Sequence, residues 1–278
     1  MANVMNVLVS GSFDDLRSRD VRLLQRSALL GRVHVLLWSD GAVQKIEDKA
    51  PKFPQEERRY LLEAIRYVDR VTLCDGPIER SSLPPHEGTL PATWVVDEAG
   101  HSASKQAYCR AHGLEYCVLR KEDLVGFPEH EEMGANDTES SSRKRVIVTG
   151  CYDWFHSGHV RFFEEVSQLG DLYAVVGHDA NIKLLKGEGH PMFCEQERRY
   201  MVQSVRFVKQ ALISTGNGWL DAEPEIVRIK PHVYAVNEDG DRPEKHEYCQ
   251  AHGIEYRVLQ RLPKQGLPQR QSRDLRGF

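Results

Sequence analysis

No apolar run in the sequence approaches the roughly 18–20 residues that a helix needs to cross a bilayer; the longest, such as residues 33–38 and 172–177, stop far short. A membrane-spanning helix is therefore not predicted. The first residues lack the basic, apolar and small-residue succession of a secretory leader, so a cytoplasmic location is the expectation. No two cysteines form a C-x-x-C pair: Cys74, Cys109, Cys117, Cys151, Cys194 and Cys249 lie scattered, which argues for reduced, mostly structural thiols rather than a disulfide framework or a zinc site. Nor is there an excess of positive charge. Lys plus Arg is 37 against 41 for Asp plus Glu, a formal net charge of −4, so no nucleic-acid partner is expected and any polyanion site must be local.

Hydrophobic residues make up 40% of the chain and charged residues 28%, a mixture able to bury a core. At 278 residues the chain has the length of two ordinary domains. The sequence also repeats itself. Residues 6–20, NVLVSGSFDDLRSRD, lie over residues 145–159, RVIVTGCYDWFHSGH, with Gly11 on Gly150 and Asp14 on Asp153. FPQEERRY from Phe53 then matches FCEQERRY from Phe193, and YCRAHGLEYCVL from Tyr108 matches YCQAHGIEYRVL from Tyr248, one inserted residue later. So long a period marks a tandem duplication of one domain, not a solenoid. The expected organisation is a first domain over residues 1–126, a polar, acidic linker over 127–144 and a second domain over 145–278.

In each copy a short β-rich run (residues 7–9 and 146–148) enters a glycine loop and then a helical pattern (21–30 and 160–169), followed by a second apolar run (33–38 and 172–176). Strands alternating with helices predict two tandem α/β domains, each a Rossmann-like doubly wound parallel sheet. Near the end of the second copy, residues 252–259 read as a helix closed by Gly253 and then a strand. Ligands of such sheets bind beyond the C-terminal ends of the strands, where strand order switches.

GCYDWFHSGH, residues 150–159, falls at that place, after the first strand of the second copy and at the opening of its first helix. His156 and His159, three apart, share one helix face beside backbone N–H groups and the positive end of the helix dipole, where a phosphate binds well. Gly150 permits close backbone approach, and Gly158 removes a side chain between the imidazoles. By spacing alone the pair also suits a metal, or a solvent-facing helix start.

Strand, G-x-(Y/F)-D-x-x-H-x-G-H, helix resembles the HxGH nucleotidyltransferase superfamily, in particular its cytidylyltransferase-like branch, over most of the second copy. The resemblance implies that His156 and His159 contact triphosphate oxygens and stabilise charge as the α-phosphorus is attacked, in a loop built by Gly150, Tyr152, Asp153 and Gly158. It places a phosphate-binding lysine in IKLLKG, Lys186 ahead of Lys183, and gives Glu197–Arg198 the family's helix, with Arg198 near the nucleotide. The loop from Tyr234 to Asp241 corresponds to a nucleotide-contacting turn carrying Asn237 and Asp239, although Asn, Asp and Gly also make turns for local reasons. The tail from Arg261 partly matches the family's closing segment: Ser272 keeps a hydroxyl, Gln271 and Arg273 replace Ser or Thr, and Arg270 or Arg273 supplies charge instead. The activity implied is cytidylyl transfer from CTP to a phospho-alcohol or phospho-sugar, with Mg²⁺ on the triphosphate and release of pyrophosphate. Two alternatives stay open, an adenylyltransferase using ATP and a nucleotide-binding or scaffold protein with little turnover.

At the aligned positions the first copy reads Arg17, Ser18, Arg19 and Asp20 where the second has His156, Ser157, Gly158 and His159. With both imidazoles gone and a carboxylate in place of one, this copy is read as degenerate. Glu57–Arg58 and Arg66 to Asp69 persist, and the resemblance implies that the two copies pack as an intrachain pseudo-dimer.

Overall fold

The computed structural model describes residues 5–75, 79–84, 92–128, 142–271 and 275. The chain forms two compact units, Met1–Gly126 and Phe127–Phe278. In the first, β1 (Asn6–Gly11), β2 (Arg32–Trp38), β3 (Arg70–Cys74), β4 (Ala92–Asp97) and β5 (Glu115–Leu119) are interleaved with α1 (Ser18–Ala28), α2 (Asp40–Glu47), α3 (Gln55–Ala64) and α4 (Ala103–Ala111). The second carries β6 (Arg145–Gly150), β7 (Asp171–Val176), β8 (Val208–Ile213), β9 (Val233–Asn237) and β10 (Glu255–Leu259). Its helices are α5 (Ser157–Val166), α6 (Asp179–Lys186), α7 (Glu195–Gln203), α8 (Glu223–Ile229) and α9 (Pro243–Ala251).

Both sheets are parallel throughout and share one order, β3-β2-β1-β4-β5 in the first unit and β8-β7-β6-β9-β10 in the second. Each chain segment starts at the sheet centre, builds outward to one edge, then crosses back and builds to the other, the doubly wound Rossmann-like topology that the alternating pattern predicts. Central strands covered on both faces must be apolar at every position. Val7, Leu8 and Val9 are at most 2% exposed, and Val146, Ile147 and Val148 are fully buried. Val160, Phe163 and Val166, on one face of α5, are buried too, each contributing about 1.5–3 kcal/mol relative to exposure.

The register opens the site. β6 pairs with β7 from Arg145↔Asp171 to Gly150↔Val176, but with β9 only at Val146↔Val233 and Ile147↔Tyr234. Past Ile147 the two strands part, leaving a crevice at their C-terminal ends. Both first helices begin about three residues before the predicted apolar pattern, α1 at Ser18 and α5 at Ser157, because the capping turn precedes the first core residue. Gly253 at φ +66 closes α9 before β10, as the sequence predicts, and Gly113 at φ +67 does so after α4. No helix among the described residues is long and apolar enough to cross a membrane.

Candidate active site

His156 is the N-cap of α5, and its Nδ1 accepts the Gly158 N–H at 3.1 Å. An accepting Nδ1 carries no hydrogen, so in the neutral ring the hydrogen sits on Nε2, which is buried and has no partner among the described residues. The backbone donors expected to stand open at this helix start are taken by His156 itself, its ring accepting from Gly158 and its carbonyl from the His159 N–H at 3.0 Å. Any anion here meets imidazole donors, aided by the helix dipole. The His159 ring stacks on His156 with centroids 3.9 Å apart at 26°, and Tyr152 and Phe155 pack against it at 5.4 and 5.7 Å. His159 Nδ1 is also buried without a partner.

Both histidines are held neutral. Burial, then the Arg261 and Arg270 charges, push His156 down to about 3. Burial, the neighbouring His156, Arg261 and Lys186 hold His159 well below the ordinary imidazole range. A cleft of about 370 Å³ opens beside them at the parted ends of β6 and β9, lined by Gly150, Tyr152, His159, Lys186, Asn237 and Arg261 among others. Lys186, at the end of α6, reaches the cleft beside the Cys151 thiol. The Asp239 carboxylate forms an ion pair with Arg261, whose guanidinium also donates to the Arg270 carbonyl. Two neutral imidazoles ringed by cations suit a multiply charged anion.

Arg261 and Lys245 were not singled out from sequence. Arg261 depresses both histidines and lines the cleft. Lys245, nearly buried, donates to the Gly240 carbonyl at 3.0 Å with its ammonium 5.7 Å from the Tyr234 ring centre, and it too lines the cleft. A signal for Lys245 exists in the repeat, since Lys105 occupies the matching place in the first unit and donates to Gly100. Arg261 offers only a lone basic residue after β10.

Other expected contacts are placed differently. Arg198 is 1% exposed, its guanidinium donating to the carbonyls of Phe193, Cys151 and Gly177 and to the Asp179 carboxylate at 2.6–2.9 Å. Four of its five N–H donors are thus committed to the protein, where it ties loops together, and Arg198 is not among the residues that line the cleft. Asp153 Oδ1 accepts the Met192 and Phe193 N–H groups, so this carboxylate, though beside the cleft, pins the loop before α7. Lys183 lies outside the cleft lining, exposed and 3.0 Å from Glu188. A Cβ on Gly150 would come 2.8 Å from Tyr152 Cζ, so this glycine makes room for the tyrosine ring. A Cβ on Gly158 would come 2.9 Å from His156 Cε1, in keeping with the space predicted there. Ser272 and Arg273 lie outside the described residues.

The first unit repeats the framework and lacks the chemistry. Arg58 donates to Phe53, Ser12, Trp38 and Asp40 much as Arg198 does, and Asp14 accepts the Lys52 and Phe53 N–H groups as Asp153 accepts its pair. Asp20, in the place of His159, accepts the Arg17 N–H at 2.9 Å, and burial pushes its carboxyl up. Arg19, in the place of Gly158, pairs at 2.7 Å with Asp97, the counterpart of Asn237. Glu47, at the end of α2, stands where α6 ends in Lys186.

A doubly wound sheet whose switch point carries a stacked histidine pair, ringed by cations, defines a phosphate-handling α/β protein. The comparisons agree: the cytidylyltransferase-like family model matches residues 147–243. The FAD synthase of Aciduliprofundum boonei is 34% identical over 125 residues, 44% of this chain and 80% of that protein. The FAD synthase of Thermococcus kodakarensis is 31% identical over 128 residues, 45% and 83% of the respective chains. The bifunctional protein HldE of Pelobacter propionicus is 32% identical over 105 residues, 37% of this chain, which spans only 21% of that longer relative. The chain belongs to the cytidylyltransferase-like family of the HxGH nucleotidyltransferase superfamily.

Proposed function

We propose that the second unit is a nucleotidyltransferase that joins a nucleoside monophosphate to a small phosphorylated acceptor. An oxygen of the acceptor phosphate attacks the α-phosphorus of the triphosphate; the bond from that phosphorus to the bridging oxygen breaks, and pyrophosphate leaves with the electron pair. No covalent enzyme intermediate is needed. The protein's task is positioning and charge stabilisation. His156 Nε2–H and the His159 ring meet phosphate oxygens, and Lys186 with Arg261 offsets charge. Asn237 and Asp239 border the nucleotide as the edge of the cleft. The observation that carries this reading is the stacked pair of buried, neutral imidazoles, of which His159 lines a cleft that Lys186, Lys245 and Arg261 also line.

Mg²⁺ finds no cage of its own here: no cluster of three or more His, Cys, Asp or Glu among the described residues could hold a metal, Asp153 accepts two backbone N–H groups and Asp239 pairs with Arg261. The ion belongs to the incoming triphosphate, and no step above passes through it.

CTP is the donor that the cytidylyltransferase-like family model favours. The similarity to FAD synthases favours ATP, because FAD contains an adenylyl group. Calorimetric titration of each nucleotide with Mg²⁺ into the wild type and His156→Ala separates the two. Binding of one nucleotide, lost in the variant, names the donor and the site. Absence of binding by both would sink the proposal.

A further inference from the structure

Resting on that reading, we propose that the Tyr152 hydroxyl is a third donor of the triphosphate seat, giving its hydrogen bond to a nucleotide phosphate oxygen. Tyr152 is 6% exposed and lines the cleft, yet its hydroxyl is buried with no partner among the described residues. Leaving a buried hydroxyl unsatisfied costs free energy, and such groups cluster where a ligand completes them. Tyr234, the nearby phenol of β9, does not serve it, being paired with Thr149 at 2.8 Å.

The placement of the ring is built into the backbone. Tyr152 sits at φ +51, a left-handed conformation unfavourable for an aromatic residue, and the bare Cα of Gly150 accommodates its Cζ end. The first unit repeats this arrangement without the hydroxyl. Phe13 adopts φ +46, and a Cβ on Gly11 would come 3.4 Å from its ring. An aromatic ring therefore suffices for the fold of the loop. The hydroxyl occurs only in the unit that also keeps both histidines.

Its neighbours identify the ligand chemistry. The Tyr152 ring packs edge-on against His159 at 5.4 Å, and Lys186 and Arg261 line the same cleft. His156 Nε2, His159 Nδ1 and the Tyr152 hydroxyl, on one loop and the first turn of its helix, are buried polar atoms without partners among the described residues. Burial holds the phenol far above its ordinary ionisation range, so it stays a neutral donor, suited to an anionic oxygen and unsuited to acting as a base.

The test is Tyr152→Phe in the full chain, which installs the first unit's own residue and keeps the ring. CTP, ATP and inorganic tripolyphosphate, each with Mg²⁺, are titrated into wild type, Tyr152→Phe and His159→Ala, and each free protein is unfolded in urea. A hydrogen bond to a charged oxygen predicts that Tyr152→Phe weakens the bound nucleotide and tripolyphosphate alike by about 10- to 100-fold. The free variant is expected to unfold at an equal or higher urea concentration than wild type, because an unsatisfied hydroxyl has gone. Wild-type affinity in Tyr152→Phe, a loss confined to the nucleotides with tripolyphosphate unaffected, or a free variant less stable than wild type overturns the assignment. If the wild type binds none of the three, the nucleotidyltransferase reading itself fails. If it binds and only His159→Ala loses affinity, that reading stands and the role of Tyr152 falls.

Discussion

At the scale of single residues, the site depends on a ring held in one tautomer by its own backbone. The Gly158 N–H fixes Nδ1 of His156 as an acceptor, and a side chain at Gly158 would collide with that ring at 2.9 Å. Gly158→Ala is therefore expected to displace the imidazole and lower turnover by about 10² to 10³, as loss of one transition-state donor does, with the far-ultraviolet spectrum unchanged. The fold tolerates bulk at this position, since the first unit carries Arg19 there. Steady-state pyrophosphate release decides: turnover like wild type would mean that the ring position does not matter. The same burial couples stability to pH. Both histidines are depressed in the folded state, so below the ordinary imidazole value, and for His156 down to about 3, the unfolded chain takes up protons that the folded chain refuses. Stability is full above about pH 6.5 and falls as pH drops, with a slope of up to about 1.4 kcal/mol per pH unit for each histidine. Urea midpoints from pH 7.5 to 5 should fall less steeply in His156→Ala than in wild type; equal slopes would contradict the buried neutral state.

At the scale of elements, the retained groups and the lost groups separate two roles. Arg198 and Arg58 join the start of the third helix of each unit to the glycine loop and the second strand, and both are 1% exposed. Replacing either by alanine leaves several buried carbonyls unsatisfied, at about 1–3 kcal/mol apiece. Arg58→Ala is expected to destabilise the first unit by at least about 3 kcal/mol in urea unfolding, although that unit lacks the site's histidines. An unchanged midpoint would remove the framework role assigned here. This division explains what the sequence conveys. Buried strands and recurring motifs are local, so apolar runs such as residues 146–148 and the 150–159 loop predict the sheet and the position of the histidines. Hydrogen-bond partners are not local. Nothing in E-R at 197–198 distinguishes a guanidinium that reaches phosphate from one held by Cys151 and Gly177, and nothing near Arg261 announces its proximity to His156. The start of α5 is legible from the 150–159 loop, which reads as the opening of the helix, while the apolar period begins only after the His156 cap.

For the whole molecule, duplication supplies an internal control. One sheet order, one framework arginine and one lysine against an aromatic ring occur in both units, so selection for folding alone accounts for them. The differences concentrate at the parted ends of the central strands, where the first unit lacks both imidazoles and gains three carboxylates. Asp20 caps its own helix where His159 would stand, Glu47 replaces Lys186, Asp97 replaces Asn237, and Arg19 joins Asp97 instead of leaving the space that Gly158 keeps. A triphosphate brought there would find neither imidazole donor, a helix terminus already occupied by Asp20, and Arg19 committed to Asp97. One nucleotide per chain is therefore expected, not two. Calorimetric stoichiometry measures it directly, and the double variant His156→Ala with His159→Ala should bind none. A second equivalent of nucleotide, or binding that survives the double substitution, would show that the first unit still holds a ligand.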